Sequence, residues 1–456
     1  MTYADALAFL DGLLAPRPPR PYGPVKLERM RALCALLGHP EDALPAVLVA
    51  GTKGKGSTAA MIAAIAAAAG SRAGLYTKPH LVDIRERIRI NDVLIAPQDF
   101  AGLVGEVTDA IARGADIPGW PPTYFEVTAA IAFLYFARAA VDLAVIEAGI
   151  GGRLDACNVV NPSVSVITTI GYDHMEIVGT RLRQIAAEDA GIIRPHGTVV
   201  TVPQRPAAAR VIEDAAKEAG ARLICVGRDV RYRTLRTGVD GVHAVVRGGK
   251  AVYRDLHVPL LGRHQALNAA AAIAVVELLA DADVRPPAGA GVPRPLTLSE
   301  TAVRTGLAGL RWPGRIEIVR QRPTVIVDVA HNVVSFQALR AVLDETFGGR
   351  RLTLILGVVE SKDLAGIARI IAPRAAAIIA TRAHHARPAP PDAVASAVRP
   401  WVSDVRIIED PVEAIEYALA HSAPDDVICA TGSFHVAGPI HAHLEGSATQ
   451  AGARRA

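Results

Sequence analysis

The stretch Gly51-Thr52-Lys53-Gly54-Lys55-Gly56-Ser57 has the residue types that hold phosphate. Its glycines let backbone N–H groups turn inward onto phosphate oxygens. Lys55 has the reach for a nucleotide's outer phosphates, and the Ser57 hydroxyl is an oxygen ligand suited to magnesium. An apolar strand over 47–50 precedes this loop, and an Ala-rich helix over about 58–69 follows it. Strand, glycine-rich turn, Lys-Gly-Ser and helix make a P-loop cradle, to which the helix N-terminus adds partial positive charge. A merely flexible glycine loop would not be framed in this way. The cradle alone leaves the reaction undefined.

Two more positions carry candidate chemistry. The apolar run 143–146 ends at Glu147, and the run 164–170 ends at Gly171-Tyr172-Asp173-His174. Such runs suit a parallel sheet covered on both faces, and ligands gather at the carboxyl ends of its strands. That placement brings Glu147 and His174 toward the phosphate loop. An acid at a strand end is a suitable oxygen ligand for nucleotide-bound magnesium. The bland readings are a solvated carboxylate and a capping histidine; the shared strand-end position favours function for both.

The elements that must position these residues need a long chain. At 456 residues, two or three domains are expected. With 51% hydrophobic and only 4% aromatic residues, aliphatic packing must fill the cores. A net charge of +4, with no Lys/Arg run, argues against a nucleic-acid partner. Cys34, Cys157, Cys225 and Cys429 have no metal-ligand or redox spacing, so reduced core thiols in a cytoplasmic protein are expected. The first residues lack the pattern of a signal peptide, and the most apolar stretch, 61–69, is too short to span a membrane.

Along the chain, helices are expected at 3–14 and 27–37 with a loop at 16–24 between them, then strands at 72–76 and, from its alternation, 85–90. Helices follow at 100–113, 124–139 and 182–193, and strands at 199–202 and 221–226. The turn-rich segment 230–259 carries hairpin signals at Asp240-Gly241 and Gly248-Gly249. A long helix over 266–279 and a surface loop over 281–295 come next. From about 314 the pattern restarts, with strands at 324–327, 352–356, 377–380, 405–408 and 427–430. The fold class is therefore α/β: a P-loop ATP-binding domain with a mainly parallel sheet over 1–311, a second α/β domain over 312–442, and a disordered tail over 443–456.

Taken in order, these blocks resemble the folylpolyglutamate synthase/dihydrofolate synthase family, a branch of the Mur ligases. The matching segments include GTKGKGS at 51–57, PHLVDIRERIRI at 79–90, EAGIGGRLDACNVV at 147–160 and ITTIGYDHMEIVG at 167–179. LLGRHQALNAAAA at 260–272, RWPGRIE at 311–317, DVAHN at 328–332 and ATGSF at 430–434 extend the match. Each is weak alone; the ordered set is specific and covers about 22–438. The resemblance implies a Mur-type central domain, a Rossmann-like C-terminal domain, and ATP-dependent amide formation. A folate or dihydropteroate carboxylate would take the γ-phosphate of MgATP, and L-glutamate would displace phosphate from the acyl phosphate. By position, Gly51, Thr52, Gly54, Lys55, Gly56 and Ser57 would bind phosphates. Ser57, Glu147 and His174 would hold Mg2+. Asn268 would approach the adenine, Arg315 a phosphate, and Asp328 the nucleotide. His331 and Ser433 would line the glutamate side. A monomer with small-molecule partners and no nucleic acid or membrane is expected. The rival readings are a paralogue using another amino acid or acid, and a nucleotide-binding protein without turnover.

Three positions depart from the family pattern. Lys78 stands in place of a serine that helps bind a second magnesium, Asp189 in place of a carbamylated lysine, and Val329 and Val333 loosen the turn around His331. Lys78 and Asp189 are counted among the catalytic residues with Lys55, His174 and His331. One expectation is that Lys78 approaches Asp189 and serves the γ-phosphate. The other is that Asp189 acts through water on an ordinary second ion while Lys78 points to solvent.

Overall fold

The computed structural model describes residues 1–14, 23, 25–117, 119–281, 291 and 294–453, with backbone alone at 25 and 447–453. The expected loops at 16–24 and 281–295 lie largely outside the described residues.

The first sheet runs, in spatial order, Val93–Leu94, Ile88–Ile90, Ala73–Tyr76, Leu143–Glu147, Ala46–Ala50, Val164–Ile167, Thr198–Thr201 and Arg222–Cys225. Ala46–Ala50 pairs in parallel with Leu143–Glu147 on one side and Val164–Ile167 on the other. Every residue of these three strands is buried, which is why their sequences are apolar runs rather than alternations. Their carboxyl ends therefore open at one place, the ligand-binding edge of an open parallel sheet.

The alternation over 85–90 reads as a strand, but only Ile88–Ile90 pairs. Asp83 caps a short 3-10 turn, Ile84–Arg87, and Glu86 reaches back to the Asp83 N–H at 2.7 Å. Capping chemistry wins over periodicity there.

Small side chains explain how a chain poor in aromatics packs. The helix after the phosphate loop, Lys55–Ala68, lies against His264–Leu279 and Glu300–Ala308. A Cβ at Gly306 would sit 2.6 Å from the Ile65 Cα, so these helices touch backbone to backbone. The turn-rich segment forms an antiparallel sheet of Arg231–Gly238, Gly241–Arg247 and Val252–Val258. Its Val246, Tyr253, Leu256 and Val258 join the core around the His264–Leu279 helix.

The second domain's sheet runs Glu317–Gln321, Thr324–Val327, Val427–Thr431, Leu352–Leu356, Ala377–Ala380 and Val405–Ile407, antiparallel only at the first pair. Helices cover it, with core clusters on both faces. Leu81 of the first domain packs onto the second domain's core, which joins the two. The final helix, Phe434–Ala453, extends into the segment 443–456 expected to be a disordered tail, whose last three residues lie outside the described residues. Among the described residues, no helix is long and apolar enough to cross a membrane.

Candidate active site

Backbone geometry shapes the phosphate loop. Gly51 and Gly54 have φ of 126° and 89°, in the left-handed region. A Cβ at Gly51 would lie 2.3 Å from Thr168 Oγ1, and one at Gly54 2.6 Å from Asn268 Oδ1. The Thr52 and Lys53 N–H groups both donate to the Thr169 carbonyl, at 2.9 and 3.0 Å, tying the loop to the next strand's end. The helix starts at Lys55 with Gly54 as its N-cap and no side-chain cap, which leaves its first N–H groups for an anion. Lys55 Nζ rests on the Gly51 carbonyl at 2.6 Å. Ser57 is buried beneath the loop.

Glu147 stands beside this loop. A Cβ on Gly56 would be 3.3 Å from Glu147 Oε2. That oxygen accepts the Lys78 N–H at 3.1 Å. Burial pushes the Glu147 carboxyl up; Lys55, the Lys78 N–H and Arg315 oppose that. Ser57 and Glu147 are hard oxygen donors close to the phosphate cradle, so this donor set fits a magnesium ion.

Lys78 does not approach Asp189. Its ammonium is buried, 3.5 Å from Asp155 Oδ1 and 3.4 Å from Cys157 Sγ, and lies over the Tyr76 ring. It does not point to solvent either. Burial alone would lower the Lys78 ammonium, but Asp155 holds it above its ordinary range. Asp155 is itself fixed by N–H donors from Gly149 and Cys157, each at 3.0 Å. Lys78 thus contributes its backbone to Glu147 while its charge is used inside the domain. Asp189 faces the loop instead. Burial raises its carboxyl to about 7, against the Lys55 charge and the Gly51 N–H.

The second domain supplies the opposite wall. Arg315 sits over the Phe434 ring at 5.2 Å, and its charge acts on Glu147 across the domain boundary. Asp328 braces this corner: it accepts the Ile316 N–H at 3.1 Å and the Ala330 N–H at 2.7 Å. His331 Nδ1 lies 2.9 Å from the Val329 carbonyl, so it carries the proton, and Nε2 is left as an acceptor. Burial and the Lys53 charge lower this imidazole to about 3, which keeps it neutral. Ser433 is buried, and its Oγ accepts the His435 N–H at 3.1 Å.

Asn268 abuts the phosphate loop rather than an open helix surface, donating to Gln265 Oε1 at 2.9 Å. His174 lies at the sheet's carboxyl edge with φ of 48°, its side chain 39% exposed. Sequence reasoning missed Asp173, which joins Lys53 to His331, Asn332 and Lys362 of the second domain. It also missed Asp155, which pairs with Lys78, and Phe434, which lies under Arg315. The available signals were the second lysine in the phosphate loop and the acid next to His174 at a strand end. Burial would raise the Asp173 carboxyl, yet the surrounding cations bring it down to about 2.

Comparison with known proteins places this geometry. The Mur ligase middle domain matches residues 49–276, and the Mur ligase glutamate ligase domain matches 314–434. The dihydrofolate synthase/folylpolyglutamate synthase of Bacillus subtilis is 31% identical, over 97% of this chain and 99% of its own length. The Mycobacterium tuberculosis protein of the same name is 36% identical, over 99% and 93%. The structure of Mycobacterium tuberculosis folylpolyglutamate synthase complexed with ADP superposes with a TM-score of 0.84 at 33% identity, covering 97% of this chain and 99% of that one. Escherichia coli FolC in complex with DHPP and ADP gives a TM-score of 0.83 at 28% identity, covering 100% and 99%. With matches in both domains over nearly its whole length, the chain belongs to the dihydrofolate synthase/folylpolyglutamate synthase family of Mur-type ligases.

Proposed function

We propose that this chain is an ATP-dependent, ADP-forming ligase that joins L-glutamate to a folate or dihydropteroate carboxylate through an acyl phosphate. One observation carries the reading. The phosphate loop with Glu147 in the first domain is faced by Arg315 and His331 from the second, in a chain whose relatives are named for this activity.

A carboxylate is a poor electrophile, so it must be activated. Its oxygen attacks the γ-phosphorus and ADP leaves. The glutamate amine then attacks the acyl carbon, and inorganic phosphate departs with one of the former carboxylate oxygens. The loop and the uncapped helix start supply N–H donors to the phosphates. Lys55 exchanges the Gly51 carbonyl for phosphate oxygens, and Arg315 adds a cation from the opposite wall. A magnesium ion held by Ser57 and Glu147, with His174 at the same edge, would neutralise phosphate charge. His331 stays neutral with Nε2 as an acceptor, which suits it to orient the incoming amine rather than to store its proton. Asp328 and Ser433 shape the second wall. Closure of the two walls excludes water from the acyl phosphate.

One chain carries both walls, which supports a monomeric enzyme. Its four unpaired cysteines support a reducing, cytoplasmic setting. The test is ADP release with MgATP and L-glutamate, using dihydropteroate and a reduced folate as separate acceptors. Release that requires both glutamate and one of these acceptors is expected, and the acceptor used assigns the activity. ATP binding without acceptor-dependent release from either would overturn the reading.

A further inference from the structure

Asp173 occupies the seam between the domains, with its side chain only 12% exposed. On the first domain's side, its Oδ2 lies 3.4 Å from Nζ of Lys53 in the phosphate loop. The same oxygen accepts from Asn332 Nδ2 of the second domain at 2.5 Å. Two more groups of the second domain face this carboxylate: His331 Nε2 at 3.9 Å and Lys362 Nζ at 3.8 Å. A single, largely sheltered charge is therefore shared by the phosphate loop and by Asn332 and Lys362 of the opposite wall, with the neutral His331 ring beside it.

The aim of Asn332 is fixed by its other end. Its Oδ1 accepts the Ser335 N–H at 3.0 Å and so caps the Val333–Phe347 helix. With Oδ1 committed to the cap, Nδ2 is turned toward Asp173. The start of that helix is thereby tied to the first domain through one amide. The ion pair Arg263–Glu345, at 2.5 Å, also crosses the boundary but is largely exposed, so water and salt screen it. The Asp173 contacts are more sheltered from solvent and charge-assisted, the stronger kind.

We propose that Asp173 is a positioning residue that draws the second domain onto the phosphate loop, acting through Asn332 and Lys362 rather than on substrate. This rests on the reading that the two domains share one site. Removing its charge leaves Lys53 and Lys362 repelling each other across the seam. The walls then part while the phosphate loop keeps its own backbone ties to Thr169.

The test uses the full chain. Asp173→Asn keeps size and an acceptor but loses the charge; Lys362→Met removes the partner from the other wall. Small-angle scattering, with ADP bound, is expected to show a larger radius of gyration for both variants than for the parent. ADP affinity is expected to stay within about threefold, while kcat falls by up to about 100-fold through misplacement of the walls. The double variant is expected to be no worse than the more damaged single one, because the pair acts as a unit. Unchanged scattering in both variants, additive losses in kcat, or a loss of ADP affinity as large as the loss of kcat would each overturn the proposal. If Asp173→Asn does not fold, Lys362→Met alone decides through the same scattering comparison. Scattering needs no turnover, so failure of this proposal is distinguishable from failure of the ligase reading.

Discussion

Replacing Lys78 by methionine separates a structural charge from a catalytic one. Lys78 Nζ and Asp155 Oδ1 are 3.5 Å apart, and both side chains are nearly fully buried. Two unit charges at 3.5 Å attract by about 5 kcal/mol at an effective dielectric of about 20, before desolvation is subtracted. Removing one partner of a buried pair costs about 3–5 kcal/mol, because the other charge stays behind unpaired. Asp155 keeps its Gly149 and Cys157 N–H donors, so the lower end, about 3 kcal/mol, is expected. With a urea slope of about 3 kcal/mol per molar, the unfolding midpoint should drop by about 1 M. Tryptophan fluorescence can follow it. The double variant Lys78→Met/Asp155→Asn leaves no orphan charge and keeps an amide oxygen as an N–H acceptor, so it should recover part of the loss. Acceptor-dependent ADP release by Lys78→Met, measured well below its unfolding midpoint, should stay within a few-fold of the parent, since Glu147 is held by the Lys78 backbone N–H. An unchanged midpoint with turnover abolished would refute this reasoning and return the ammonium to the phosphate.

Two further substitutions probe the phosphate loop. Gly54→Ala forces an L side chain to φ of 89° and drives its Cβ against Asn268 Oδ1. The strain is about 1–2 kcal/mol, and ADP affinity measured by calorimetry should fall about tenfold or more; an unchanged affinity would contradict the loop geometry. Asp189 has a folded carboxyl raised from 3.8 to about 7 by burial. Between about pH 4 and 7 the folded state therefore keeps a proton that the unfolded chain has lost, so this group's contribution to stability falls as pH rises through that window. Asp189→Asn should remove that slope, so the difference in urea midpoint between variant and parent should grow from pH 4 to 7. A difference independent of pH would show Asp189 to be ionised throughout.

What was legible in the sequence was whatever is local. The phosphate loop is one contiguous stretch whose glycines, lysine and serine have fixed relative positions, and its flanking strand and helix are strongly apolar. Glu147 ends its strand, while the strand expected over 164–170 stops at Ile167 and the Asp173-His174 pair lies in the loop after it; strand ends of a parallel sheet, with the loops that leave them, converge by topology. The partner of Lys78 was not legible. Asp189 was a plausible counter-charge by family position, but Asp155 is brought to Lys78 by a short capped turn after the Glu147 strand, which no periodicity announces. The Asp173 seam was also hidden, because Asn332 and Lys362 reach it only after a second domain has folded and docked. The antiparallel strand Glu317–Gln321 escaped notice because it is only partly buried and mixes charged with apolar residues. The stretch from 443 lacks an apolar stripe in its sequence, yet as far as Ala453 it continues the helix begun at Phe434.

The central claim is that two domains bring a carboxylate and a nucleotide together so that the carboxylate is phosphorylated before glutamate attacks. The most direct measurement follows heavy oxygen from an acceptor labelled in that carboxylate, with unlabelled MgATP and L-glutamate, by mass spectrometry of the products. The account predicts one labelled oxygen in the released inorganic phosphate for each amide formed. Unlabelled phosphate accompanying full amide formation would contradict it.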